Sequence, residues 1–193
     1  TLDEIISASH IVYAAMPPTP QFRWPLLCQR LGADIWVKHE NHSPVGAFKI
    51  RGGLVYFAHL AQSGQVPKGV IAATRGNHGQ SVGYAAQRYG IPATIVVPHG
   101  NSVDKNAAMR AFGVELIEHG DDCQAAREFT LSLARQKSLH LVPSFHPLVL
   151  AGVATYCLMI LKAVRDIEVV YVLNGLGAGI FGLIAARDGL DLQ

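Results

Sequence analysis

Residues 69–98 read GVIAATRGNHGQSVGYAAQRYGIPATIVVP, and this stretch decides the fold. Its first part, residues 69–73, is a short apolar run ended by a turn signal, which is typical of a buried parallel strand. Residues 80–89 have helical periodicity that stops at Gly90, a residue suited to the end of a helix. A second apolar run, residues 93–97, precedes a proline. The stretch therefore predicts a strand, a helix and a second strand.

The same alternation continues downstream. The pattern predicts helices over residues 104–112 and 121–136, and strands over residues 114–117 and 139–142. A β-α-β-α-β-α-β order with short connections predicts an α/β fold with an open parallel sheet, right-handed crossovers and helices on both faces, in three layers. Residues 46–147 are expected to form one small α/β domain around this sheet.

The flanking segments are less regular. Residues before the predicted strand 34–38 are expected to be irregular, because the prolines between Met16 and Pro20 cannot continue a helix. A helix is predicted over residues 48–62. After the α/β unit, we expect a helix over 150–164, a strand over 169–173, a glycine-rich turn over 174–182 and a helix over 180–187. The last strand would lack sheet neighbours.

Composition excludes several classes of protein. The 193 residues are 50% hydrophobic and 16% charged, with a formal net charge of +2, so neither a nucleic-acid nor a membrane partner is expected. The first residues lack a signal-peptide pattern, and the three cysteines are far apart, which favours a reducing, cytoplasmic location. We expect no metal site, because His39 and His42 have no obvious third ligand.

Lys49 is the first candidate for chemistry. It lies between Phe48 and Ile50 at the start of a predicted helix. A lysine in water has a pKa of about 10.4, but burial among apolar groups favours the neutral amine, which can attack an aldehyde. On its own, a lysine on the first turn of an amphipathic helix is more typical of a solvated charge than of a nucleophile.

The second candidate is the turn over residues 74–81, TRGNHGQS, where a parallel strand ends and a helix begins. Free N–H groups at such a helix start bind carboxylate or phosphate, and ligands of open α/β sheets lie at these loops. An ordinary turn with a helix cap is the alternative interpretation.

The third candidate is the glycine-rich segment NGLGAGIFG, residues 174–182. Its glycines let backbone amides approach an anion at a helix start, which predicts a phosphate cradle. The segment also has the GxGxxG spacing of dinucleotide sites, but no strand ending in an acidic residue follows at the required distance. Tight helix–strand packing is the remaining alternative.

Taken together, these segments resemble the serine/threonine dehydratase group of the fold-type II enzymes that depend on pyridoxal 5′-phosphate (PLP). Residues 40–53, ENHSPVGAFKIRGG, are similar to the PLP-lysine signature of that group. Residues 74–80 are similar to its GNHGQ loop, and residues 175–179 to its phosphate loop. The resemblance implies a fold like that of the tryptophan synthase β subunit, with residues 1–45 and 148–193 in an incomplete large, PLP-binding domain.

The resemblance also implies roles for individual residues. Lys49, beside Phe48, would bind PLP as a Schiff base and then act as the base that removes the substrate α-proton. Asn77 would hydrogen-bond the PLP ring hydroxyl. The reaction would be elimination of water from L-threonine or L-serine, giving a 2-oxo acid and ammonia. Backbone amides would hold the substrate carboxylate at Gly76, Asn77, His78 and Gly79, and the cofactor phosphate at Gly175, Leu176, Gly177, Ala178 and Gly179.

The sequence departs from the group at several positions. Arg75 stands where some members carry a serine that serves as a second acid/base, which argues against racemase activity. Ala178 replaces a frequent hydroxyl, Met159 replaces a frequent acidic residue, and the chain is shorter than is usual for the group. Exposed apolar faces would then favour a homo-oligomer. A non-catalytic α/β binding module is the second hypothesis.

Overall fold

The computed structural model describes residues 1–164 and 166–192 and contains eight α-helices, one short 3₁₀ helix (Glu40–His42) and six strands in these ranges. The helices are α1 (Leu2–Tyr13), α2 (Pro25–Leu31), α3 (Lys49–Gln62), α4 (Asn77–Arg88), α5 (Val103–Ala111), α6 (Cys123–Lys137), α7 (Pro147–Ala163) and α8 (Ala178–Gly189). The strands are β1 (Gln21–Arg23), β2 (Trp36–Lys38), β3 (Val70–Ala73), β4 (Ala93–Val97), β5 (Glu115–Glu118) and β6 (His140–Leu141).

A parallel sheet with the order β5-β4-β3-β6 forms the centre of the molecule. Alternate residues of its strands point to opposite faces, as the pleat requires. Val70 and Ala72 pack with α4 and α5 on one face, whereas Ile71 packs with α6 on the other. The predicted three-layer α/β architecture is therefore confirmed.

Most predicted elements of this unit are present with ends shifted by one to three residues. The largest shift concerns α4, which begins at Asn77 instead of Gln80, so that the GNHG turn forms the first turn of the helix. Gly90 and Gly113 have φ angles of +64° and +76°, the left-handed conformation expected after a helix.

Two predictions for the flanks were wrong. The N-terminal part is not irregular, because α1 is a regular helix with a capping box between Thr1 and Glu4, and α2 follows from a proline at its start. The predicted strand over residues 169–173 is absent, although the structure describes these residues. Among the described residues, no strand lies beside them to pair with, and Tyr171 and Leu173 are 96% and 83% exposed.

Small residues let α3 touch α4 and α7 closely. A Cβ atom added at Gly152 of α7 would lie 2.3 Å from the carbonyl oxygen of Arg51, and one added at Gly53 of α3 would lie 2.3 Å from the hydroxyl oxygen of Ser81. The backbones of these helices therefore approach as closely as glycine allows. The division of the chain into two domains stays a prediction.

A buried ion pair lies between these helices and the N-terminal segment. The guanidinium of Arg51, whose side chain is 0% exposed, donates to both carboxylate oxygens of Glu40 at 2.7 and 2.9 Å. It also donates to Tyr13, Thr19 and Thr155 at 3.0 to 3.2 Å. One side chain thus ties α1, the loop after β2, α3 and α7 together.

Lys38 borders this network without a carboxylate in contact. Its ammonium donates to the carbonyl oxygen of Thr19 at 2.7 Å and lies 3.5 Å from the sulfur of Met159. Burial, together with the charge of Arg51, lowers the pKa of Lys38 to about 8, although Glu40 acts in the opposite direction. Met159 therefore leaves this lysine without an acidic partner on α7.

We predict that Gly152→Ala destabilises the protein by about 3 kcal/mol, because the added methyl group meets rigid backbone and overpacking outweighs the higher helix propensity of alanine. Gly175→Ala is the control, since no atom lies within 4 Å of a Cβ there, and its effect should stay within about 0.5 kcal/mol. Urea denaturation measures both, and equal effects would contradict the close approach of α3 and α7.

Arg51→Met should cost about 3–5 kcal/mol of unfolding free energy, because it leaves the Glu40 carboxylate buried without a partner. Arg23→Met provides a matched control, since the Arg23–Asp34 pair (Nε to Oδ1, 2.9 Å) is exposed and should contribute less than about 1 kcal/mol. Denaturation of the two variants under identical conditions tests this, and a cost at Arg51 no larger than that at Arg23 would refute it.

The lowered pKa of Lys38 predicts a specific pH dependence. Between pH about 8 and the ordinary pKa of 10.5, the unfolded chain holds a proton that the folded protein has lost, so stability gains from rising pH at this site. Other groups titrate in the same window, and Lys38→Met removes only this contribution. The difference in unfolding free energy between wild type and Lys38→Met should therefore shift in favour of wild type from pH 7.5 to pH 10. Unfolding free energies of wild type and Lys38→Met that change in parallel with pH would contradict this prediction.

Candidate functional site

The carboxyl edge of the sheet has a crevice between β3 and β6. From β3 the chain proceeds through α4 to β4 on one side, whereas β6 pairs with β3 on the other side. Loops that leave two neighbouring strands in opposite directions open a crevice where ligands of α/β sheets bind. The residues that follow β3 and β6 are therefore expected to line a ligand-binding site.

Lys49 is the first residue of α3 and is half-buried. Burial lowers the pKa of its amine, so the neutral, nucleophilic form is reached at a lower pH than for a lysine in water. The Lys49 amine lies 5.4 Å from the centroid of the Phe48 ring. The backbone carbonyl oxygen of Lys49 accepts a hydrogen bond from the Ser81 hydroxyl at 2.7 Å. This bond fixes the start of α3 against α4.

The first turn of α4 contains the predicted loop residues. Gly76 and Gly79 are buried, whereas Asn77 is exposed and its side chain makes no hydrogen bond to another described residue. Gly79 has a packing reason of its own, because a Cβ atom there would lie 2.3 Å from the sulfur of Met109. The amide of Gly76 donates to the Thr74 hydroxyl at 3.1 Å. The amides of Asn77, His78 and Gly79 begin the helix, where N–H groups have no intrahelical partner.

His78 carries the one buried side-chain polar atom without a hydrogen-bond partner among the described residues, its Nε2. Burial and the charge of Lys49 lower the pKa of His78 to about 4, while a hydrogen bond to the backbone of Val142 acts in the opposite direction. The imidazole is therefore neutral near pH 7. Because Val142 follows β6, the ring lies in the crevice between the two strands.

The glycine-rich segment lies near Lys49, because it packs against Phe48, the residue before this lysine. Gly177, with a φ angle of +98°, precedes α8, and a Cβ atom at Gly179 would lie 3.7 Å from the ring of Phe48. Gly177, Ala178 and Gly179 are buried at this point. Gly175 and Leu176 are exposed, and no described contact links them to Lys49.

The helix starts at the three motifs lack side-chain caps. Side chains cap the starts of α1, α5, α6 and α7. The starts of α3, α4 and α8 have no such cap, and glycine precedes two of them. Uncapped amides with positive dipole potential are suited to anions. The helices α3, α4 and α8 carry the three sequence motifs, and α2, which begins with a proline, is the fourth described α-helix without a side-chain cap.

Sequence analysis missed several neighbours of the site. Ser81 ends the candidate turn 74–81 but had no predicted role, although it follows Asn77 by four residues and so lies on the same face of α4. The alkyl chain of Lys105 lies 2.6 Å from the position of a Cβ atom at Gly76. Arg75 donates from Nε to the Cys123 sulfur at 2.8 Å. No local pattern indicates these two contacts, which join residues distant in the chain.

The groups around Lys49 suit a ligand with an aldehyde and a phosphate. An amine with a lowered pKa attacks an aldehyde, and uncapped helix starts hold phosphate. PLP, the cofactor that the sequence resemblance implies, carries both groups. The orphaned Nε2 of His78 adds a polar atom suited to a bound molecule.

Within residues 1–164 and 166–192, no helix is long and apolar enough to cross a membrane. In the same ranges, no three His, Cys, Asp or Glu side chains come together as metal ligands would.

Known proteins resemble this chain along nearly its whole length. Biosynthetic L-threonine dehydratase of Haemophilus influenzae is 36% identical over 183 residues, which cover 93% of this chain and 36% of the relative. The crystal structure of a PLP-dependent aspartate racemase superposes with a TM-score of 0.93 at 26% identity, over all of this chain and 61% of that protein. Threonine deaminase isoform 2 of Solanum lycopersicum gives a TM-score of 0.87 at 30% identity, over 97% of this chain and 52% of that protein.

These likenesses identify the fold as that of the fold-type II PLP enzymes. This chain spans between about a third and three fifths of the length of these three proteins. The family model for pyridoxal-phosphate dependent enzymes matches residues 12–189. The match includes all three motifs, from Lys49 to Gly179. The chain therefore belongs to the family of pyridoxal-phosphate dependent enzymes.

Proposed function

We propose that this chain carries the catalytic lysine and the phosphate loop of a PLP-dependent dehydratase that removes water from L-threonine or L-serine. One observation carries the proposal: the half-buried Lys49 begins the uncapped helix α3, its backbone is hydrogen-bonded to Ser81 of the uncapped helix α4, and the adjacent Phe48 reaches the start of α8. Nucleophile and anion sites thus meet at one edge of the sheet. The relatedness to threonine dehydratases supports the choice of reaction.

Each group of the cofactor has a candidate partner. Lys49 would bind its aldehyde carbon, with Phe48 beside the ring, and Asn77 would hydrogen-bond the ring hydroxyl. The amides of Gly175, Leu176, Gly177, Ala178 and Gly179 would hold the phosphate. The buried Gly177–Gly179 part, at the helix start, is the best supported of these contacts. When bound, the cofactor supplies an electron sink for the bond that breaks at the substrate α-carbon.

The residues of the chain would then orient the substrate and move its proton. The amides of Gly76, Asn77, His78 and Gly79 would hold the substrate carboxylate at the start of α4. The Lys49 amine would take the α-proton, and its lowered pKa favours the free base that this step needs. Loss of the β-hydroxyl as water would give, on release, an imine, and a second water molecule would hydrolyse this imine to a 2-oxo acid and ammonia.

Arg75 favours elimination over racemisation. Racemisation needs a second acid/base on the opposite face of the α-carbon, and a guanidinium stays protonated, so it cannot accept a proton. Arg75 is also engaged with Cys123. The aspartate racemase therefore shares the fold with this chain without implying its activity.

A non-catalytic binding module is the second candidate. Ala178 lacks the hydroxyl that would reach a phosphate, and Gly175 and Leu176 are exposed. Exposed apolar side chains between α7 and α8, and on α2, support a homo-oligomer or another protein partner in either case. Oligomerisation and a cytoplasmic location stay predictions.

The visible spectrum with added PLP tests the proposal. We expect an absorbance band that borohydride reduces and that is absent in Lys49→Ala. Lys68→Ala is the matched control, because Lys68 is exposed and remote from the motifs, and it should keep the band. Absence of a band in wild type at saturating PLP would refute cofactor binding and favour the second candidate. Steady formation of 2-oxo acid from threonine or serine then tests turnover.

A further inference from the structure

Lys105, on the first turn of α5, lies against the start of α4. A Cβ atom added at Gly76 would lie 2.6 Å from Cδ, 3.3 Å from Cε and 3.4 Å from Nζ of Lys105. The outer part of the lysine side chain, including its ammonium, therefore packs on the open side of Gly76. Because Gly76 is the N-cap residue of α4, the ammonium lies beside the backbone amides that are proposed to hold the substrate carboxylate.

The packing of α5 against α4 places this side chain. Met109 follows Lys105 by four residues, one turn along α5, so the two side chains lie on the same face of the helix. Met109 is fully buried, and a Cβ atom at Gly79 would collide with its sulfur. Two side chains of α5 thus fill the space that two glycines at the start of α4 leave open. The fold itself brings Lys105 to this place.

Hydrogen bonds hold the first turn of α5 in position. The Ser102 hydroxyl caps the helix by accepting from the Lys105 amide at 3.4 Å. The buried side chain of the next residue, Asn106, accepts from Asn101 at 2.7 Å and donates to Glu118 at 3.4 Å. The backbone of Lys105 is therefore fixed, and only its side chain has to adapt to a ligand.

The ammonium of Lys105 has no counter-ion in the described part of the chain. None of the ion pairs found there includes it, and its Nζ makes no hydrogen bond to another described residue. Glu118, on β5, pairs with Arg110 at 3.6 Å. Arg75, the cation of the loop before α4, donates to the Cys123 sulfur. The charge of Lys105 is thus available to an anion at the start of α4.

A buried atom on the first turn of α4 indicates that this helix start takes a ligand. Nε2 of His78 is buried without a hydrogen-bond partner among the described residues, which is costly unless a bound group completes its hydrogen bonding. The helix start also lacks a capping side chain, so its amides and its dipole favour an anion. A ligand with a negative charge suits both the helix start and the ammonium beside it.

We propose that Lys105 is a substrate-binding residue, whose ammonium completes the carboxylate site at the start of α4. This inference rests on the proposed function, because that function places the substrate carboxylate on the amides from Gly76 to Gly79. The helix start offers hydrogen bonds and a partial positive charge, whereas the ammonium adds a full charge and further N–H donors. Lys105 thus favours substrates that carry a carboxylate over amines that lack one.

The test is an NMR titration of the ¹⁵N-labelled full chain without cofactor, in a phosphate-free buffer of constant low ionic strength. Propionate is the probe, since it presents a carboxylate without an amine or a leaving group. The amide resonances of Gly76 and Asn77 should shift until the site is saturated. Lys105→Met removes the charge but keeps an alkyl chain over Gly76, and should weaken propionate binding by about fivefold, the upper range for an exposed ion pair.

Matched variants and a matched probe separate charge from packing. Lys105→Arg keeps a cation and should bind propionate within about twofold of wild type. Lys68→Met removes an exposed lysine near the opposite, amino end of β3 and should leave the dissociation constant unchanged. Propionamide, the uncharged counterpart of the probe, should not distinguish wild type from Lys105→Met. Thermal unfolding shows that each variant is folded.

Equal dissociation constants for propionate in wild type and Lys105→Met would overturn the inference, and so would wild-type amides that do not respond to propionate. A loss in Lys105→Arg as large as that in Lys105→Met would indicate packing in place of charge and overturn it too. A chain that shows the expected binding of propionate but no absorbance band with PLP would instead refute the proposed function and leave the carboxylate site standing. The two failures are thus distinguishable, because the titration needs no cofactor.

Discussion

The buried pair of Arg51 and Glu40 is the contact on which the site depends. A guanidinium with no exposed surface is tolerated only when its donors are satisfied, and here five oxygens from four separate segments meet it. Lys49 precedes Arg51 by two residues on α3. Fixing Arg51 therefore fixes the first turn of α3, and with it the direction in which the Lys49 backbone leaves the loop.

Close helix packing adds the second constraint. Glycines at 53 and 152 bring α4 and α7 against α3, so the first turn of α3 packs against α4 at Ser81. The hydrogen bond from Ser81 to Lys49 exists only because no Cβ stands at Gly53. Electrostatics orients the helix and glycine packing aligns it, and together they bring residues from distant motifs to one edge of the sheet.

Local patterns were sufficient for much of this fold. Periodicity and turn residues predicted β3 to α6 and the layers around them, since each element there is built from near neighbours in sequence. The capping box of α1 is visible in the sequence at Thr1 and Glu4, but the prolines between Met16 and Pro20 end a helix without excluding one before them. Residues 169–173 had the composition of a strand, yet a strand forms only beside a partner. The oxygens around Arg51, and the contact of Lys105 with Gly76, come from tertiary structure and leave no local signal.

The uncapped starts of α4 and α8 have a consequence for how this protein is handled in the laboratory. A capping side chain typically contributes about 1 kcal/mol to a helix, and these helices lack it where they face the crevice. Any anion that settles there stabilises the folded state in proportion to its occupancy. The choice of buffer thus becomes a variable of the protein itself, because inorganic phosphate or sulfate can take the place of a cap and raise the melting temperature before any cofactor is added.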